Sequence, residues 1–320
     1  MAHLEAVFQD LSYGARKLWR DAGFTTVLFD REGLRPKWRV LLFLAAMFML
    51  WPQTERPVNW VVARGWIAGA GHDEWTALMH LAAFAAVLIP TLIAARLERL
   101  PLDSYGIPWR QAFRGMFWEG AAWGLAAISL QVCVLQAIHC ISVHLSGLSG
   151  RTSFAFAGRW GFTMLAVALF EECLKRGYLQ TVSGRTLGFW PAAVVLASLF
   201  GLEKLLVPDY RTLIAFLSIV LYALLMCLTL KLTGSLWFAI GFHCGVEWCT
   251  VFIFGIRTPI IPHPEGTLLN VVFKGPAWIT GGQSGLMASI LMPLLIIALS
   301  LVLRVRFRQT QQLAKPSSSH

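Results

Sequence analysis

Apolar residues run through this chain in stretches of about twenty. A bilayer crossing needs roughly 17–25 mainly apolar residues. Eight stretches meet that length, at about 39–59, 75–95, 116–140, 158–179, 188–206, 211–230, 234–256 and 286–304. The first is the weakest, because the polar stretch from Pro52 to Pro57 interrupts it. The pattern predicts an all-α, polytopic membrane protein with about eight transmembrane helices. Residues 1–37 read as a cytoplasmic amphiphilic leader, 38–305 as one helical domain, and 306–320 as a basic, polar, disordered tail. No stretch before Lys37 has the apolar centre of a cleavable signal peptide, so the first span must also direct insertion. No internal repeat or long linker divides the chain.

Composition agrees with this reading. Of 320 residues, 57% are hydrophobic and 14% are charged, against about 25% charged in soluble domains. The net charge of +10 raises the question of nucleic acid. With the N-terminus inside, nineteen of the 27 basic residues fall in inside segments, from Arg16 and Lys17 through the 96–114 loop to Arg304, Arg306 and Arg308. That is the positive-inside pattern, and an even number of spans puts both termini in the cytoplasm. The surplus is therefore topological, and the expected partner is the bilayer, with no nucleic acid. Six cysteines, none in a CxxC pair, read as reduced packing residues.

Three clusters place ionisable side chains inside these apolar runs, where each costs on the order of 2.5–3.5 kcal/mol and marks a candidate functional site. The first is Glu171-Glu172-Cys173-Leu174-Lys175-Arg176. Glu172 and Arg176 stand four apart and share a helical face, so they can pair. Glu171 is turned about 100° away and can meet another partner. The plainer reading is that both carboxylates pair with Lys175 and Arg176 at a helix end. The second cluster is Gly241-Phe242-His243-Cys244-Gly245-Val246-Glu247, with His243 and Glu247 one turn apart. Gly241 and Gly245 would let a neighbouring helix approach closely. The third is Phe200-Gly201-Leu202-Glu203-Lys204, where Lys204 could simply snorkel to the interface.

These clusters resemble the ordered motifs of the CPBP family, the CAAX prenyl proteases and bacteriocin-processing enzymes also called the Abi family of intramembrane proteases. Its EExxxR motif is present as Glu171, Glu172 and Arg176, and its HxxxN/D motif is matched by His243 with Glu247. Its FxxxH motif keeps Phe200 but has Lys204 in place of the histidine. Ser104-Tyr105-Gly106-Ile107, the run from Gly234 to His243 and the loop from Gly275 to Gly282 are similar to further family stretches, so the resemblance covers roughly 75–285. The leader stretch from Leu11 to Phe24 is similar to the leaders of some bacterial ABC-type antimicrobial-peptide permeases. No permease domain follows it, and a helix lying on the cytoplasmic membrane surface is the simpler reading.

The resemblance implies an endopeptidase in the bacterial inner membrane acting on a membrane-associated peptide or protein. Glu171 would activate the water, His243 would orient it or stabilise the oxyanion, and Glu247 would fix the histidine tautomer. Glu172, Arg176 and Phe200 would support them. No cofactor is required by that scheme. Zinc would be poorly furnished by Glu171 and His243 alone. Lys204 changes the physics: beside Glu171, a charged lysine would pair with it and weaken it as a base. A desolvated Lys204 could instead be neutral, or could stabilise an oxyanion. A pseudoprotease that binds a membrane partner is thus the alternative. A transporter is the third reading, but no inverted repeat supports it. A straight-helix calculation places Glu171 and His243 about 12–14 Å from the cytoplasmic ends of their spans and Lys204 about 24 Å along its own. On that arithmetic Lys204 lies apart from the other two.

Overall fold

A computed structural model gives the architecture and describes residues 29–30, 33–64, 72–148, 150–259 and 261–313. Most of the leader and the end of the tail lie outside the described residues. Among the described residues nine helices carry the fold: α1 (Pro36–Ala63), α2 (His72–Glu98), α3 (Gly115–Ala137), α4 (Gly150–Glu172), α5 (Leu179–Leu187), α6 (Phe189–Lys204), α7 (Leu213–Thr233), α8 (Trp237–Trp248) and α9 (Leu291–Leu313). A single turn, Ala277–Thr280, lies in the loop before α9.

Four continuous helical stretches have the length and apolar composition to cross a membrane: Glu74–Glu98, Gly115–Ala137, Gly150–Leu187 and Leu213–Thr233. The chain is thus helical and membrane-spanning, but by these criteria four spans are found among the described residues where eight were expected. The run Trp237–Ile253 is apolar but shorter. Between α4 and α5 the helix widens into a π turn, Cys173–Tyr178, kinked at Gly177 with ψ −111°. A second π turn, Cys249–Ile253, extends α8. Wide turns of this kind often mark functional sites.

Helical backbone therefore runs from Gly150 to Leu187, past the expected limit at 179. Gly188, at φ 85°, then reverses the chain into α6. A positive φ of this size suits glycine, which has no Cβ to clash. Glu171 lies 17 residues before Gly188 and Lys204 lies 16 residues after it. At 1.5 Å per residue the two arms are about 25 and about 24 Å long. The arms match, so Lys204 ends level with Glu171. The separation expected from straight helices came from ending the fourth span too early.

The tightest helix pair is α3 with α8. A Cβ on Gly241 would lie 2.0 Å from Phe117 O, and one on Gly245 would lie 2.4 Å from Ala121 O. On α3, Gly120 and Gly124 meet Phe238 O and Phe242 O in the same way, at 2.1 and 2.3 Å. Small residues at this spacing let two backbones touch, the packing that substitutes for hydrophobic driving force inside lipid. The close approach expected at Gly241 and Gly245 is realised, with α3 as the neighbour.

Two short antiparallel ladders are also present among the described residues. Phe29–Asp30 pairs with Gly33–Leu34, and Ile141–Leu145 pairs with Leu269–Phe273 in the register Ile141 opposite Phe273. Near the other end of the bundle, Gly106 O accepts from Leu236 N at 2.8 Å, tying the loop after α2 to the start of α8. Glu98, at the end of α2, accepts from Tyr105 Oη at 3.1 Å, Tyr178 Oη at 3.0 Å and Arg185 Nη1 at 3.0 Å, and pairs with Arg39 Nη1 at 3.4 Å. Burial and the Glu98 carboxylate push the Tyr105 phenol up to about 12.

Candidate active site

The last turn of α4 carries both glutamates into the bundle. Glu172 is 0% exposed and Glu171 is 8% exposed. Ion pairs this deep are strongly weakened if one partner is removed, because the other charge is left uncompensated. Each carboxylate has a basic residue one turn on and a partner from another helix.

Glu172 Oε1 accepts from Arg176 Nη1 at 3.0 Å and lies 2.9 Å from His243 Nδ1. The expected Glu172–Arg176 pair is present, and the same oxygen reaches α8. His243 is therefore oriented by Glu172, and its Nε2 is left for other work. Glu247 does not take the expected part in holding the histidine. It makes no hydrogen bond or ion pair among the described residues. Although one turn from His243, it faces a small cavity that Tyr210 and Thr250 also line. The imidazole Nδ1 points across to α4 instead. Glu247 still acts electrostatically on His243 and on Lys204.

Glu171 is held between two lysines. Oε2 accepts from Lys175 Nζ at 2.7 Å, and Oε1 accepts from Lys204 Nζ at 3.3 Å. The Phe200 ring supports both ammonium groups, with Lys175 Nζ 3.2 Å and Lys204 Nζ 5.0 Å from its centroid. A cation over an aromatic face is attracted by the ring quadrupole. The Phe200–Lys204 turn thus delivers its cation straight to Glu171. The plainer pairing of the two glutamates with Lys175 and Arg176 is present as well, as part of this larger network.

Residues 152–249 match the family model of the type II CAAX prenyl endopeptidases, Rce1-like. That family is one of intramembrane peptidases. The matched segment is shorter than the 75–285 stretch suggested by the motifs, yet it contains all three of them, from Glu171 to Glu247. The resemblance read from those motifs is borne out over this Rce1-like segment. Comparison with curated proteins and comparison with solved structures give no match.

Three side chains in or beside the Rce1-like segment were not anticipated. Tyr222 of α7 lies edge-on to His243, with ring centroids 5.7 Å apart at 77°. Its hydroxyl and Glu172 Oε2 are both buried without a hydrogen-bond partner among the described residues. Tyr210 lies in the loop after α6. Burial and the carboxylates of Glu247 and Glu171 push its phenol up, keeping it a neutral donor. Glu171, Lys204 and His243 act electrostatically on His80 of α2. Its signal was legible: it is the sole ionisable residue between Trp75 and Ala95. Tyr222 likewise interrupts a long apolar run. Among the described residues no group of three or more His, Cys, Asp or Glu side chains forms a candidate metal site.

Proposed function

We propose that the chain is an intramembrane endopeptidase that hydrolyses a peptide bond of a membrane-associated protein or peptide. The observation that carries this reading is the buried Glu172–His243 contact of 2.9 Å, which sets an imidazole beside Glu171 inside an apolar bundle. In this reading Glu171 takes a proton from water and the resulting hydroxide attacks the carbonyl carbon. The free edge of His243 orients the water or donates to the oxyanion. Glu172 and Arg176 hold that histidine, and Tyr210 and Glu247 line a small cavity with Thr250. The basic-residue pattern supports both termini lying in the cytoplasm, and the leader and loop resemblances support a bacterial inner membrane.

One observation favours a second reading. With Lys175 and Lys204 on its two oxygens, Glu171 is already neutralised, which weakens it as a base. The chain would then be a pseudoprotease that keeps the site's shape to bind a membrane partner. Purified protein in liposomes, offered farnesylated and unprenylated membrane peptides, separates the two. The protease reading expects cleavage that Glu171→Gln abolishes, and identical product profiles from wild type and this variant would sink it. The pseudoprotease reading expects no wild-type cleavage and a gain with Lys204→His. A folded Lys204→His protein with no gain would count against it.

A further inference from the structure

A cavity of about 680 Å³ lies between α1 and α2, and no residue of the three ionisable clusters lines it. Helical spacing makes its walls. Leu42, Phe43 and Ala46 stand three and four apart on one face of α1, one turn after Arg39, and Ile93, Ala94 and Leu97 stand the same way on α2, just before Glu98. Phe43 closes the back, its ring stacked on Tyr178 with centroids 4.6 Å apart at 19°. The rims are bare: Leu42 is 59% and Leu97 79% exposed. The groove therefore opens sideways, toward the space that lipid fills around a spanning helix.

One end of the groove is charged. There α1 begins and α2 and α5 end, so Arg39, Glu98 and Arg185 meet, and all three line the cavity. Glu98 Oε2 takes Arg39 Nη1 at 3.4 Å and Arg185 Nη1 at 3.0 Å. Two guanidinium charges against one carboxylate leave one positive charge over. The Arg185 side chain is 38% exposed, against 12% for Glu98. One of its five N–H donors is spent on Glu98, and the rest point outward. Arg35, Lys37, Arg96 and Arg99 flank the same helix ends in sequence. An apolar slot that ends in surplus positive charge complements an amphiphile with an anionic head, and basic pockets between spanning helices suit such headgroups. A free anion would leave the slot unfilled, and a bare hydrocarbon would leave the charge unmatched. A peptide backbone would find no hydrogen-bond partner along these apolar walls.

We infer that the groove is a binding site for one anionic phospholipid, with an acyl chain between α1 and α2 and the phosphodiester on Arg185 and Arg39. A guanidinium fork matches two phosphate oxygens. The phosphate meets the outer edges of the arginines, while the more buried Glu98 keeps their inner edges and the phenols of Tyr105 and Tyr178. The headgroup then neutralises the charge left over where three helix ends are tied together. Tyr178 closes the π turn that follows Glu172, so the lipid steadies that turn through the Glu98 knot. Such a site serves either reading of Glu171, because it involves no hydrolysis. On the orientation proposed above, it belongs to the cytoplasmic leaflet.

Two measurements on the full-length protein test this. The first is native mass spectrometry from detergent with phosphatidylglycerol, phosphatidylcholine of the same chains, and glycerophosphoglycerol, which is the headgroup without chains. Wild type should retain one phosphatidylglycerol about tenfold more tightly than phosphatidylcholine, the worth of one hydrogen bond to a charged group. Arg185→Gln should lose about that factor by removing the charge, and Ala46→Phe should lose as much by filling the slot. Leu301→Phe, exposed on α9, should bind as wild type does. The second is photocrosslinking in liposomes by phosphatidylglycerol with a diazirine on its acyl chain, which should label residues within 42–46 and 93–97. If Arg185→Gln does not fold, Ala46→Phe and the crosslink map decide. Equal retention of the two lipids, undiminished binding by Ala46→Phe, or crosslinks confined to other helices would each overturn the assignment. Tight retention of glycerophosphoglycerol alone would overturn it in favour of a plain anion site. A farnesylated peptide that blocks the crosslinks, with no phosphatidylglycerol retained in detergent, would overturn it in favour of a substrate tail.

Discussion

Gly241→Ala is the sharpest test of how the fold holds the site. The added methyl would sit 2.0 Å from Phe117 O, where real contacts stay above 3.0 Å. The seam between α3 and α8 must therefore open by at least about 1 Å. The three nearest atoms, Phe117 O and C and Ala121 N, all belong to helical backbone, so no side chain can swing away. Overpacking of this kind costs about 1–3 kcal/mol. His243 stands two residues on, in a 2.9 Å contact that a 1 Å displacement would stretch or crush. Catalytic geometry lost by about 1 Å can cost on the order of 10²-fold in rate. Gly158→Ala makes a matched control, because that α4 position has no atom within 4 Å of the new methyl. Thermal unfolding in detergent should show Gly241→Ala with a lower Tm, and on the protease reading peptide cleavage should show a collapsed rate. Gly158→Ala should be unchanged or up to about 1 kcal/mol more stable, as a helix interior gains from losing glycine. Equal behaviour of the two variants would refute the reasoning.

Glu172→Gln should unfold more readily than wild type by about 3–5 kcal/mol, because Arg176 is left buried without its counter-charge; denaturant melts in detergent would show it, and a loss under 1 kcal/mol would mean that Arg176 finds another partner. Tyr105→Phe should flatten the alkaline stability limit. The folded phenol holds its proton up to about 12, while an unfolded tyrosine ionises near pH 10. Wild-type stability therefore falls as pH rises from the lower value to the higher, and the variant should lack that part of the slope. Parallel Tm–pH curves for the two proteins would contradict this.

Much of the site was legible one helical turn at a time. Glu172 with Arg176, and Phe200 with Lys204, follow from four-residue spacing, and Gly241 with Gly245 announces a close neighbour. Relations between helices were not legible. His243 could equally have turned to Glu247, and only the placement of α4 decides for Glu172. The position of Lys204 depended on where the preceding helix ends, and a π turn leaves no mark in an apolar run. The Ile141–Leu145 strand is five residues of apolar–polar alternation beside a long apolar run, and its partner lies more than a hundred residues away. His80 shows the opposite limit: a lone polar residue in an apolar span was visible, but its company was not.

The two π turns bear on how this gene can change. Each wide turn holds about one residue more than an α-helical turn of the same rise. Loss of a single codon between Cys173 and Tyr178 would let the helix close into regular α form. Because the wide turn absorbs its extra residue within one turn of the same rise, everything beyond would keep its angle and height on the axis. Arg185 would stay with Glu98, and the hairpin arm would still bring Lys204 level with Glu171. The turn at Cys249–Ile253 offers the same slack after Glu247. A deletion in the regular α-helix between Gly150 and Glu172 has no such slack and would turn everything beyond it by about 100°, so single-residue deletions around this site should be tolerated at the wide turns and not in the helices that flank them.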